Sequence, residues 1–227
     1  MDYSIVIPIF NEEESLRPLF NEIKAAMAIC TGSYEIIFVN DGSSDQSASL
    51  LNGFLQEQSA IVKVIGLQRQ GQTKALKEGI AQAQGNIVVT LDADLQNDPA
   101  DIVRLIAKMK EGYDCVCGWR KSREDTFLKS ILSKTGNVLQ RLITGLAIHD
   151  VSCTLRAYKR QWAMKIPLNW EGQHRFIPLS LSLQGCKITE IVSHHRQRQF
   201  GISKYSHKRI FKVIIDFFRI LQAKGRA

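Results

Sequence analysis

The feature that most constrains this chain is a strict alternation over its first ninety residues. Short apolar runs at 3–10, 34–39, 61–67 and 86–91 are separated by amphipathic stretches at 12–29, 44–56 and 73–83. Strand and helix taken in turn require a parallel sheet with helices laid on its faces. The runs that begin at Tyr3, Tyr34, Ile61 and Asn86 carry Val and Ile at successive positions, the pattern of strands covered on both sides. Helix starts are marked by Asn11 ahead of three glutamates, and by Asn97 or Asp98 ahead of Pro99 and Asp101, as cap preference and the helix dipole favour. The fold class expected is α/β, a doubly wound and mostly parallel sheet.

Beyond Gly118 the pattern changes. A basic loop at 119–123 leads to a helix with an apolar stripe, Phe127, Leu128, Ile131, Leu132, Val138, Leu139, Leu142, Ile143 and Leu146. A strand-like run at 151–158, a mixed region at 170–183 and a strand at 187–191 follow. The chain closes with a basic amphipathic helix from about Ser206 to Ala223. Residues 1–205 read as one domain and 206–227 as an appended helix. With 44% hydrophobic and 23% charged residues among 227, the chain buries a core and is neither a disordered tail nor a fibre.

Charge is divided unevenly. Residues 1–118 hold 9 basic and 16 acidic side chains, whereas 119–227 hold 21 and 6, so the second half faces something anionic or lies in water. The apolar stretch 210–221 is interrupted by Lys212, Asp216 and Arg219 and falls short of the roughly 20 residues of a membrane-spanning helix. Five cysteines without CxxC spacing and no leader pattern before Tyr3 indicate a reducing cytosol without structural zinc.

Ligands of open parallel sheets bind beyond the carboxyl ends of the strands, and here those loops are polar and acidic: 8–14, 40–45 and 92–99. Neither a dinucleotide fingerprint nor a P-loop occurs. Asp92 and Asp94, two apart at a strand end, project to one side and suit a hard divalent cation, Mg²⁺ or Mn²⁺, whose remaining ligands come from water and a diphosphate. An Asp-x-Asp triplet also arises by chance in surface turns, and Asn40-Asp41-Gly42 alone is a hairpin signal. Their positions after buried strands favour function, with Asp41 accepting hydrogen bonds from a base or ribose.

The series Ile7-Pro8-Ile9-Phe10-Asn11-Glu12-Glu13, Val39-Asn40-Asp41-Gly42-Ser43-Ser44-Asp45, Gly71-Gln72, Ala83-Gln84-Gly85 and Asp92-Ala93-Asp94-Leu95-Gln96-Asn97-Asp98-Pro99 resembles family 2 glycosyltransferases. Within that family, the segments 118–125, 150–156, 174–178 and 198–205 are similar to the polyprenyl-phosphate sugar synthases, the dolichyl-phosphate mannose synthase type. The resemblance spans nearly the whole chain. It implies a GT-A fold, a nucleotide-diphosphate sugar donor and a divalent metal on Asp94 with Asp92 and Gln96 beside it. It places Pro8, Glu12 and Asp41 in the nucleotide pocket, and Arg120, Arg123 and Arg156 on phosphates, with Ser133 and Asn137 nearby. It assigns Arg198, Ser203 and Lys204 to a loop that closes over the diphosphate. His174 and Arg175 are expected near a lipid phosphate, His174 otherwise packing in the core. Gln70, Lys74 and Cys153-Thr154-Leu155 depart from the usual residues of the family and bear on the donor pocket.

A phosphate acceptor is already anionic near neutrality, its second pKa lying near 6, so Asp150 is a base or only a positioning group. The function expected is inverting transfer of one sugar to a polyprenyl phosphate at the cytoplasmic membrane face. The alternatives are a soluble hydroxyl acceptor, or a catalytically dead adaptor for membrane or nucleic acid; the intact acidic motifs argue against the adaptor, so no nucleic-acid partner is expected. Many relatives continue into transmembrane helices, and a chain stopping at Ala227 reads as a monotopic or shortened form. The face Ile210, Phe211, Ile214, Phe217, Phe218 and Leu221, flanked by Lys208, Arg209 and Lys212, has the composition of a helix lying on a membrane surface. Packing on its own core, or on a second copy of the chain, is the other outcome for such a stripe.

Overall fold

A computed structural model describes residues 1–121 and 145–200, together with 215–216 and 219–220. In chain order the elements are β1 (Tyr3–Ile9), α1 (Glu13–Ile29), β2 (Tyr34–Asp41), α2 (Ser47–Glu57), β3 (Val62–Leu67), α3 (Gln72–Ala81), β4 (Ile87–Thr90), α4 (Asp101–Met109), β5 (Cys115–Trp119), β6 (Arg156–Lys159), α5 (Arg160–Ala163), a 3₁₀ turn (Gln173–Phe176), α6 (Ile177–Ser182) and β7 (Ile188–Val192). The strands form one sheet in the order β3-β2-β1-β4-β6-β5-β7. The first four are parallel, β6 runs antiparallel to both β4 and β5, and β7 is parallel to β5. The chain winds outward from β1 through β2 to β3, then returns to place β4 on the other side of β1. That reversal opens a crevice beyond the carboxyl ends of β1 and β4.

Alternating side chains along each strand sort into two cores. Ile5, Ile7 and Ile9 of β1 join Leu16, Leu19, Phe20 and Ile23 of α1, Phe54 of α2 and Leu105 of α4 on one face, where Phe20 and Phe54 stack with centroids 4.5 Å apart. Val6, Ile37 and Val39 face the other way, against Leu76 and Ile80 of α3. Period-two alternation gives each strand two apolar faces. Gly79 lets α3 lie close on the sheet, since a Cβ there would stand 2.4 Å from Val6 Cγ1. The amino end of α3 is thereby set at the crevice.

The structure departs from the sequence pattern in several places. The run 151–158 is irregular until Arg156, and only Arg156–Lys159 forms a strand. β5 interrupts a stretch whose cysteines and glycine hide its strand character, and β3, an edge strand, is only partly buried. Asn11 does not cap α1. It adopts φ 52° and ties loop to loop, its backbone N–H donating to Ser43 Oγ at 3.0 Å while its Oδ1 accepts the Ser44 N–H at 2.8 Å. Leu146, the end of the expected stripe, is buried in non-helical chain, and 122–144 lie outside the described residues. Of the expected C-terminal helix, residues 215–216 and 219–220 are described and helical. Asp216 and Ile220 are buried, Ile220 clustering with Phe176 and Leu179, while Ile215 is exposed. No helix among the described residues is long and apolar enough to cross a membrane.

Candidate active site

Three strand-end loops meet at the crevice. After β4 the chain bends through Asp92 and Asp94, and Leu95 is held at φ 60° although buried. A non-glycine residue in the left-handed region stores strain that persists where surrounding contacts enforce it. Those contacts are evident. Asp94 Oδ1 accepts the Gln96 N–H at 3.2 Å, and Gln96 O accepts the Arg196 N–H at 2.8 Å. A β-bridge joins Asn97 to His195. Arg196 is further tied to Glu22 and Asp98, at 2.7 and 2.8 Å, and His194 to Asp101, which accepts both its N–H and a bond from its ring. Residues 194–198 are thus stapled along the acidic loop.

This staple delivers Arg198 to the acid pair. Its Nη2 lies 2.6 Å from Asp94 Oδ2 and its Nη1 3.9 Å from Glu12 Oε1. Asp92 accepts a hydrogen bond from Gln72 Nε2 at 2.7 Å. Burial first, and then the neighbouring Asp94, push the Asp92 carboxyl up to about 6, against the opposing effects of Thr154, Arg120 and Arg156. Two oxygen-donor carboxylates in mutual repulsion, one already drawing a guanidinium, fit a hard cation that takes its other ligands from water and phosphate. Gln96 stands in the same loop. Among the described residues no cluster of three or more His, Cys, Asp or Glu exists to form an all-protein cage.

Asp41, fully buried at the end of β2, spends its carboxylate within the protein. It pairs with Arg69 and accepts the backbone N–H groups of Gln70 and Gly71 at 2.7 and 2.9 Å. Arg69 stacks over Phe10, 3.3 Å from the ring centroid. Asp41 therefore shapes the loop that begins α3. Pro8 lies on β1 beside Val39, partly exposed. Glu12 accepts a bond from Ser15 Oγ and donates its own N–H to Ser47 Oγ.

Arg120 and Asp150, expected as phosphate ligand and catalytic group, engage each other. Nε and Nη2 of Arg120 donate to the two Asp150 oxygens at 2.7 and 3.0 Å, and Ser152 Oγ donates to Asp150 as well. Arg156 is 1% exposed, its guanidinium donating to the carbonyls of Val151 and His174 at 2.7 and 3.1 Å. It ties two turns to β6 from within the core. His174 is buried, its Nδ1 2.6 Å from Thr73 Oγ1. Arg175 is partly exposed, next to Gly172 and the buried Asp216. Arg123, Ser133, Asn137, Ser203 and Lys204 lie outside the described residues. The sequence named Gln72 and Thr154 only within family segments, without a role, and did not single out Arg69 or Glu171. Each is a common polar residue whose role arises only when distant loops meet; the bond from Gln72 to Asp92 spans twenty positions.

The profile of Glycosyl transferase family 2 matches residues 4–166. An undecaprenyl-phosphate 4-deoxy-4-formamido-L-arabinose transferase of Enterobacter sp. (strain 638) is 42% identical over 219 residues, covering 96% of this chain and 67% of that protein. A dodecaprenyl-phosphate galacturonate synthase of Rhizobium johnstonii is 37% identical over 226 residues, 97% of this chain and 67% of that one. In three dimensions the chain is similar to glucosyl-3-phosphoglycerate synthase from Mycobacterium tuberculosis in complex with Mn²⁺, uridine diphosphate and phosphoglyceric acid. The TM-score is 0.70 at 17% identity, over 98% of this chain and 78% of that one.

Proposed function

This chain belongs to glycosyl transferase family 2 and has the GT-A fold, and on that premise we propose that it transfers one sugar, with inversion, from a nucleotide-diphosphate sugar to a polyprenyl phosphate. The observation that carries the acceptor class is the bidentate pairing of Asp150 with Arg120. A carboxylate held by a guanidinium fork is stabilised in its ionised form and is a weak base. A sugar hydroxyl requires a base; a phosphate monoester does not. The names of the relatives, polyprenyl-phosphate transferases and synthases, point the same way.

In the proposed reaction an oxygen of the acceptor phosphate attacks the anomeric carbon, and the bond from that carbon to the nucleotide diphosphate breaks. The leaving group takes the electron pair as negative charge. Asp92 and Asp94, with Gln96 beside them, would hold Mg²⁺ or Mn²⁺, which supplies neutralisation of that leaving diphosphate. Arg198, stapled above Asp94, adds positive charge at the same place and orients the diphosphate. Pro8, Glu12 and the loop that Asp41 organises hold the nucleoside. Asp150 keeps Arg120 aimed toward the acid pair, where its charge already acts on Asp92. His174 and Arg175, with Arg123, Ser133, Asn137, Ser203 and Lys204, are the proposed remaining phosphate contacts.

A lipid acceptor implies work at a membrane surface, with the nucleotide donor on its cytoplasmic side, and the basic second half of the chain suits anionic lipid. The test is a panel of nucleotide sugars offered with Mn²⁺ and undecaprenyl phosphate. A lipid-phosphate sugar of the mass of one added residue is expected in the organic phase. Transfer to soluble saccharides, with none to lipid, would sink the proposal.

A further inference from the structure

We propose that Gln72 is the positioning residue for Asp92, holding that carboxylate in the orientation in which it receives a divalent cation. The inference rests on the reading of Asp92 and Asp94 as the cation-holding pair. Gln72 opens α3, and its Nε2 donates to Asp92 Oδ1 at 2.7 Å. A carboxylate only accepts, so the amide must present its nitrogen. Being neutral, this donor fixes one oxygen without cancelling the charge. A guanidinium in its place would compete with a cation, as Arg198 does on Asp94.

The residue that supplies this amide is itself fixed from both sides. Before it, the N–H groups of Gln70 and Gly71 are held by Asp41. After it, the Thr73 N–H donates to Glu171 Oε2 at 3.0 Å, and the Thr73 hydroxyl meets His174 and accepts the Gly172 N–H. Gly71 sits at φ 100°, a conformation that favours glycine, and a Cβ there would lie 2.5 Å from Glu171 Oε2, which would have to move. Two carboxylates from different elements thus clamp the amino end of α3. The amide of Gln72 transmits that rigidity to Asp92. Gln72 is partly exposed, so truncating it removes this bond without opening a buried cavity.

Partners that orient metal ligands typically govern about 10- to 100-fold in metal affinity. Mn²⁺ binding is followed by electron paramagnetic resonance, without donor, for wild type, Asp94→Ala, Gln72→Ala and Gln72→Met, the last keeping length and packing without the donor. Both Gln72 variants should bind Mn²⁺ about 10- to 100-fold more weakly than wild type while unfolding at the same temperature. In turnover their KM for Mn²⁺ should rise by a similar factor, and kcat at saturating Mn²⁺ should return to within about threefold of wild type, a rescue that a merely structural defect would not allow. If wild type binds Mn²⁺ and Asp94→Ala does not, but both Gln72 variants bind within about twofold of wild type, the role of Gln72 is overturned and the cation-holding pair stands. If wild type does not bind Mn²⁺, both fall.

Discussion

Arg198 and Asp94 are ion-paired at 2.6 Å across the mouth of the crevice, so a guanidinium stands against the carboxylate proposed to receive a metal. Removing it should move two quantities in opposite directions. For Arg198→Ala, Mn²⁺ affinity without donor should rise by about tenfold, the equivalent of one charge-assisted bond no longer displaced. Sugar transfer should fall, because positive charge near the leaving diphosphate is lost. Manganese titration and turnover on one preparation test this; weaker Mn²⁺ binding in the variant would contradict it.

The raised Asp92 carboxyl gives the site a pH signature. With its folded-state pKa moved from 3.8 to about 6, its contribution to stability is present below the unfolded value and lost as pH rises through about 6. A bound cation favours the ionised form and reverses that loss. The rise in unfolding temperature caused by Mn²⁺ should therefore grow between about pH 5 and pH 7. An equal rise at both ends would show that Asp92 is not titrating at the site.

Asp150→Asn separates a base from a positioning group. A missing general base typically costs about 10²- to 10⁴-fold, but with Arg120 already claiming both oxygens, transfer to lipid phosphate should slow by less than about tenfold. The rate–pH profile should keep its shape. Loss of its acidic limb, the fall in rate as a base becomes protonated, would assign Asp150 as the base.

A stability prediction lies at the opposite end of the sheet. Glu35 is buried beside Lys63, 2.6 Å away, and accepts bonds from Ser4 Oγ and the Gln84 N–H. Burial works against its charge, but Lys63, Ser4 and Gln84 together hold its carboxyl below the usual 4.5. Glu35→Gln should cost about 1–3 kcal/mol near neutrality. Because the folded-state pKa is lowered, the wild-type advantage should persist above about 4.5 and vanish as pH falls below it. Urea midpoints across that range decide it.

The parallel half of the fold was legible because β1, β2 and β4 repeat Val and Ile, and the polar residues after them could only be loops. β5 was not, since Cys115, Cys117 and Gly118 carry no strand signature until β6 and β7 pair with them. The acid pair was legible from local spacing. Its surroundings were not: Arg198 reaches Asp94 across 104 positions and Arg120 reaches Asp150 across 30. A sequence marks arginines as phosphate ligands without saying whether a carboxylate meets them first. Asn11 is instructive in the same way, its composition signalling a cap whereas Ser43 and Ser44 claim it for a bridge between loops.

That the acid pair of this family 2 glycosyltransferase drives departure of a nucleotide diphosphate from the sugar that passes to a lipid phosphate is tested most directly by Asp94→Ala. With the donor found active in the nucleotide-sugar panel, Mn²⁺ and undecaprenyl phosphate, formation of the lipid-linked sugar is measured by mass for variant and wild type at equal folded concentration. Transfer should fall by about 10³-fold or more, as expected when several kcal/mol of leaving-group stabilisation disappear. Transfer within about threefold of wild type by a variant with unchanged unfolding temperature would contradict it.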